Sequence, residues 1–250
     1  MSLKLGLKPV DRVLGGVEER SLILIHEADP RSLGKFLALH VMKEKLDSDN
    51  LVGYFNIGMP LSVFLSVTRR FGIDVERHLK EGRLMIVDTF GSIYDLRVEM
   101  ENVWYLSGPI SLEILNEKYI EVIRTHKEKW KQLNRFEGRE LWGVTVSISD
   151  YLHMFGAQKT QRYLELADLL RTNSDVYRKY PAGTNVWVYT GNDLVVLPLL
   201  YRKATYVLRT ESTVTEEGKV IRTMKIVKAP GLKSMPAYEY TFRSGRLKFP

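Results

Sequence analysis

Short apolar runs alternate with longer amphipathic stretches through the first two hundred residues, and this alternation limits the fold more than any other feature. Runs at 21–25, 51–57, 84–88, 142–148 and 185–189 have the length and near-continuous apolar character of strands buried on both faces. Helical spacing of apolar residues occupies 36–42, 61–71, 111–135 and 161–170. The longest of these places Leu115, Tyr119, Val122, Ile123, Trp130 and Leu133 on one stripe, and Gly72 is placed to end the helix before it. A short helical turn near Asp11–Leu14 ends in the pair Gly15-Gly16. After Lys203 the texture changes to alternating segments at 204–213, 219–228 and 238–242, with turns at Glu217-Gly218, Pro230-Gly231 and Ser244-Gly245. The expected fold is α/β over a single domain, 1–250. A helix-covered, mostly parallel sheet forms its core (about 1–200), and a C-terminal antiparallel β meander extends it (about 201–250).

The turn after the first strand carries the most informative chemistry. It reads Asp29-Pro30-Arg31-Ser32-Leu33-Gly34-Lys35-Phe36, where a phosphate-binding loop would read G-x-x-x-x-G-K-[ST]. In such a loop glycines let backbone N–H groups close on phosphate, lysine neutralises it, and the hydroxyl takes Mg²⁺. Gly34 and Lys35 are present. Asp29 stands in the first glycine position and would repel phosphate; Phe36 replaces the hydroxyl and cannot ligate a metal.

Bulk properties exclude several classes. No apolar run approaches the ~20 residues that span a bilayer, and the N-terminus lacks a basic-then-apolar signal pattern, so the expectation is a cytoplasmic protein without a membrane partner. Zero cysteines exclude disulfides, thiolate metal sites and thiol nucleophiles. The five histidines, His26, His40, His78, His126 and His153, have no ligand spacing and are expected to be structural or solvated. Net charge is +7, and residues 201–250 account for all of it, with eleven Lys and Arg against four acids. That basic fifth is either a solvated hairpin or a contact surface, with Arg222, Lys225 and Lys228 as its candidate residues.

The whole succession resembles one ATPase domain of the KaiC group within the RecA superfamily. The resemblance rests on the opening Leu-Gly-Leu-x-Pro-Val-Asp-Arg-Val-Leu-Gly-Gly at 5–16, on Phe71-Gly72-Ile73-Asp74, and on Glu81-Gly82-Arg83-Leu84-Met85-Ile86-Val87-Asp88. The basic strand at 222–228 and the close at Gly245-Arg246-Leu247 complete it. It implies a RecA-like arrangement of the sheet and, in an active member, ATP and Mg²⁺.

The same resemblance marks what is missing. The family's paired glutamates after the second strand fall on Gly58 and Met59, neither of which accepts a proton. Its Walker B aspartate falls on Ser147, and the arginine of its late Lys-x-Arg motif falls on Pro230, with Lys228 retained. Asp88 ends the third strand and is not the Walker B position. Asp150 is expected opposite to Ser147 by strand alternation, capping the segment that follows.

The resemblance therefore implies a catalytically inactive KaiC-like protein acting through a protein partner or self-association, with no catalytic residue, no metal and no cofactor. Two alternatives stand beside it. ATP, or another anion, could still bind without turnover at a remnant site of Gly34, Lys35 and Arg31. Nucleic acid could bind the basic meander, with Tyr201, Tyr206, Tyr238, Tyr240 and Phe242 as stacking partners.

Overall fold

The computed structural model describes residues 2–250, side chains at 171 and 172 excepted. A small antiparallel pair, β1 (Ser2–Leu3) and β2 (Val17–Glu18), brackets helix α1 (Lys8–Leu14), which ends on Gly15 at φ 70°. Then come β3 (Leu22–Glu27), a 3₁₀ turn (Pro30–Ser32), α2 (Gly34–Asp47), β4 (Leu51–Asn56), α3 (Leu61–Arg70) and α4 (Val75–Lys80). The middle of the chain supplies β5 (Leu84–Asp88), α5 (Thr89–Tyr94), β6 (Val103–Trp104), α6 (Leu112–Gln132) and β7 (Leu141–Thr145). Helices α7 (Ile148–Phe155), α8 (Ala157–Asn173) and α9 (Asp175–Lys179) lead to β8 (Thr184–Thr190) and α10 (Val196–Lys203). The last four strands are β9 (Tyr206–Val214), β10 (Val220–Lys228), β11 (Ala237–Arg243) and β12 (Arg246–Lys248).

These strands form one ten-stranded sheet in the order β12-β11-β10-β9-β3-β8-β7-β4-β5-β6. Pairings from β9 to β6 are parallel, and those from β9 to β12 are antiparallel. The meander's first strand therefore joins the parallel set: β9 runs alongside β3, with Ile25 opposite Leu208. Layers of helix cover both faces. One core gathers α2 and α3 against Ile23, Ile25, Tyr54 and Val144, and the other gathers α6, α8 and α10 against Leu24, Val87 and Val207. The alternation of these residues along the strands is what two covered faces require. Among the described residues no helix is long and apolar enough to cross a membrane.

Two local expectations change. The apolar run at 142–148 is strand only to Thr145, and Ser147 already caps α7. On the α6 stripe Leu115, Tyr119, Val122, Ile123 and Trp130 are buried, but Leu133 lies beyond the helix end and is 53% exposed.

Candidate functional site

The loop after β3 is closed by its own carboxylates. Asp29 sits in extended conformation, and its side chain accepts hydrogen bonds from the backbone N–H of Arg31 (3.0 Å) and Ser32 (3.2 Å). It also accepts from the N–H (2.8 Å) and hydroxyl (2.7 Å) of Ser212 on β9. Burial pushes the Asp29 carboxyl up, but the bonds from Ser212, Arg31 and Ser32 outweigh it and hold the pKa below the ordinary value. Glu27, 2% exposed at the end of β3, accepts from the Lys35 N–H (3.1 Å) and the Thr190 hydroxyl (2.6 Å). Two carboxylates thus hold N–H groups that a phosphate would need. The meander fixes the rest: Ser32 Oγ meets Thr210 Oγ1 at 2.9 Å, Arg222 donates to the Arg31 carbonyl at 2.8 Å, and the Tyr240 hydroxyl donates to the Ser32 carbonyl.

Of the three sequence candidates, Gly34 has a packing reason to be glycine: a Cβ there would stand 2.6 Å from Thr210 Oγ1 and 3.0 Å from Glu27 Cβ. Lys35 is half-buried on the first turn of α2 and takes part in no ion pair among the described residues. Arg31 points outward, with its Nε 3.9 Å from Asp29. Phe36, at the hydroxyl position, packs instead on Phe71 (centroids 4.5 Å apart) and Phe242 (5.8 Å). Donors already held, a carboxylate in the loop and a phenyl at the metal position do not fit a Mg²⁺·nucleotide.

The positions beyond β4 and β7 converge in space. Because β7 ends at Thr145, strand alternation does not reach Asp150; Ser147 and Asp150 lie three apart at the start of a helix and share a face. The expectation that they diverge is corrected: a Cβ on Gly58 would overlap the Asp150 carboxylate and lie 3.0 Å from Ser147 Oγ. Beside them, Asp88 Oδ1 accepts from Asn56 Nδ2 (2.7 Å) and the Gly91 N–H (3.0 Å), capping α5. Burial raises the Asp88 pKa against those two bonds. Tyr54, fully buried on β4, is pushed up by burial and then by Asp88 and Asp150. Among the described residues no cluster of three or more metal-ligating side chains forms.

The three basic candidates of β10 are each engaged within the chain. Arg222 holds Arg31, Lys225 pairs with Glu211, and Lys228 caps α10 through the carbonyls of Tyr201 (2.8 Å) and Arg202 (3.2 Å). Sequence reasoning did not single out Glu27, Thr190 or Ser212, and it offered Tyr240 only as a stacking partner for nucleic acid, not as a fastener of the Ser32 carbonyl. An acid ending an otherwise apolar strand, as Glu27 does, was the available signal.

No family model matches the chain, and no curated protein matches it in sequence. Among solved structures, the uncharacterised protein PH0321 from Pyrococcus horikoshii, crystallised in complex with an unknown peptide, is 42% identical at TM-score 0.93. That match covers 100% of this chain and 99% of PH0321. The KaiC-like protein PH0186 from Pyrococcus horikoshii OT3 superimposes at TM-score 0.74 over 100% of this chain and 99% of its own, at 14% identity. The chain belongs to one family with PH0321, and its fold is KaiC-like.

Proposed function

We propose that this protein has lost ATP hydrolysis and acts by holding a peptide segment of a protein partner. The observation that carries the reading is the filled loop, in which Asp29 and Glu27 take the N–H groups of Arg31, Ser32 and Lys35. Phosphoryl transfer depends on positioned charge: metal, lysine, arginine and an oriented water. Gly58, Met59, Ser147, Phe36 and Pro230 supply none of it. The peptide half is supported by PH0321, which is related over its whole length and was crystallised in complex with an unknown peptide.

A steady-state ATPase assay on the wild type beside Lys35→Ala tests the first half. The expected result is background hydrolysis in both. Turnover near ~1 s⁻¹, the low end of ordinary enzymes, that disappears in Lys35→Ala would overturn it. The ammonium of Lys35, which joins no ion pair among the described residues, favours one second reading, weak anion binding without turnover. A rise in melting temperature with ATP·Mg²⁺ that is lost in Lys35→Ala would establish it. The nucleic-acid alternative draws on Arg222, Lys225 and Lys228, whose polar groups already have partners, and a salt-dependent gel shift tests it.

A further inference from the structure

The ten-stranded sheet has two edges, and they are built differently. At one, β12 carries Arg246 and Lys248, charges that discourage a further strand from adding. At the other, β6 is Val103 and Trp104, with no charge on the strand. The parallel ladder to β5 decides which of its backbone groups are used. Val103 pairs with Ile86, whose N–H donates to the Asn102 carbonyl (3.0 Å), so the Val103 N–H and C=O point away from β5. The Val103 N–H closes a turn on the Met100 carbonyl at 3.3 Å. The Val103 carbonyl and the next outward donor, the Tyr105 N–H, have no hydrogen-bond partner among the described residues.

A very short strand is by itself a blunt edge, so an added chain needs side-chain contacts as well, and the segment before β6 offers them. Tyr94, Leu96 and Val98 are 52%, 52% and 42% exposed. Tyr105 joins this strip to the open edge: its hydroxyl accepts from the Val98 N–H (2.8 Å) and donates to the Val98 carbonyl (3.0 Å). The open pair of backbone groups also selects the occupant. In parallel pairing one residue of the incoming strand donates its N–H to Val103 and accepts from Tyr105, standing opposite Trp104. Antiparallel addition across Val103 would need both of its groups, and its N–H is already taken. A helix has its own N–H groups bonded internally, which leaves an extended segment.

We infer that β6 is a docking edge for one extended segment of the partner peptide, added parallel to it opposite Trp104, with the apolar side chains on either side of that residue set against Leu96 and Val98. The inference rests on the peptide-holding reading above and gives it a place, a chain direction and a side-chain pattern. Alternate residues of a strand share a face, so the flanking pair falls on the side of the sheet that Val103 and Tyr105 present, where Tyr105 holds Val98. Strand addition takes its affinity from main-chain hydrogen bonds and its specificity from such alternate side chains.

The test selects peptides from a displayed random library on the full chain and synthesises one of them with a single N-methyl group at each position in turn. Binding is measured to wild type and to Leu96→Asp, and hydrogen exchange at the Tyr105 amide is followed with and without peptide. The expected result is that N-methylation at one position weakens binding at least tenfold while N-methylation at its two neighbours is tolerated. Leu96→Asp should weaken binding at least tenfold with its melting temperature held. Saturating peptide should slow exchange at the Tyr105 amide of wild type at least tenfold, an outcome that needs no variant to fold. Selected peptides that leave this exchange unchanged, that tolerate N-methylation at every position, or that bind Leu96→Asp as well as wild type overturn the edge while the peptide reading stands. A library that yields no binder overturns both. Protection of the Tyr105 amide that grows with protein concentration in the absence of peptide gives the edge to a second copy of the chain and also defeats the inference.

Discussion

A carboxylate can organise a loop of backbone N–H groups as well as a phosphate can, and Asp29 does so here from inside the chain. Hydrogen bonds to a charged acceptor contribute about 1.5–3 kcal/mol each when buried, and Asp29 is partly solvated. Asp29→Ala should therefore lower stability by about 2 kcal/mol, read as a shift of the denaturant midpoint at unchanged slope. Its pKa is depressed, so its contribution is complete at neutral pH and disappears as pH falls through its folded value. The Asp29→Ala deficit should shrink in acid; a deficit equal at pH 7 and pH 2.5 would count against the bonding described. At the next β-strand end, Gly58→Ala pushes a methyl into the Asp150 carboxylate. The expected cost is about 1–2 kcal/mol, mostly recovered when Asp150→Ala is added. Additive losses in that double-mutant cycle would contradict the contact.

At the scale of elements, the meander is what sets the loop, since β9, β10 and β11 each bring one of its fasteners (Ser212, Arg222 and Tyr240). The β11–β12 turn is held in its own place by Ser244 and Gly245, both at positive φ (49° and 73°), the backbone of a tight hairpin. Gly245 also lies against the end of α3: a Cβ would overlap the Arg70 carbonyl and stand 3.0 Å from Phe71 Cα. Both obstacles are backbone, so Gly245→Ala should cost about 2–3 kcal/mol, combining a left-handed conformation with overpacking. A chevron or equilibrium melt within 0.5 kcal/mol of wild type would remove the docking argument. The turn itself was legible in the sequence because Ser-Gly between two alternating runs has a local cause. So were β3, β4, β5, β8 and α6, whose apolar periodicities are long. The end of β7 was not, because Val144-Thr145-Val146 stays β-branched past the last ladder pair. Nor was α10, whose Pro198 sits tolerably in a first turn but reads as a breaker. The departures from a phosphate-loop pattern at 29 and 36, and those the resemblance implies at 58, 59 and 147, could be placed by order alone. The contacts these positions make could not, since Glu27 meets Thr190 and Asp29 meets Ser212 across more than 160 residues.

For the molecule as a whole, the described histidines with shifted pKa values share one direction. Burial depresses His26, His40, His78 and His126, with further lowering at His78 by Arg83 and Arg77 and at His126 by Lys127. His78 falls to about 4 and His126 to about 3, and both are almost wholly enclosed. The unfolded chain takes up a proton at each near pH 6.5, while the folded one does not until far lower. Between those values the unfolded state binds more protons, so stability rises with pH and is lost on acidification. Each such histidine contributes a slope of up to about 1.4 kcal/mol per pH unit across its window. Asp88, raised by burial, works the other way, but only above the ordinary carboxylate value and up to its own folded pKa. The expected profile is a steady fall in urea midpoint from pH 7 to about pH 4.5. His78→Gln, whose ring neighbours Arg77 and Glu81, should make that fall shallower by close to one proton. A midpoint that stays level over this range, or a His78→Gln profile parallel to wild type, would mean that the folded state carries charged imidazoles after all.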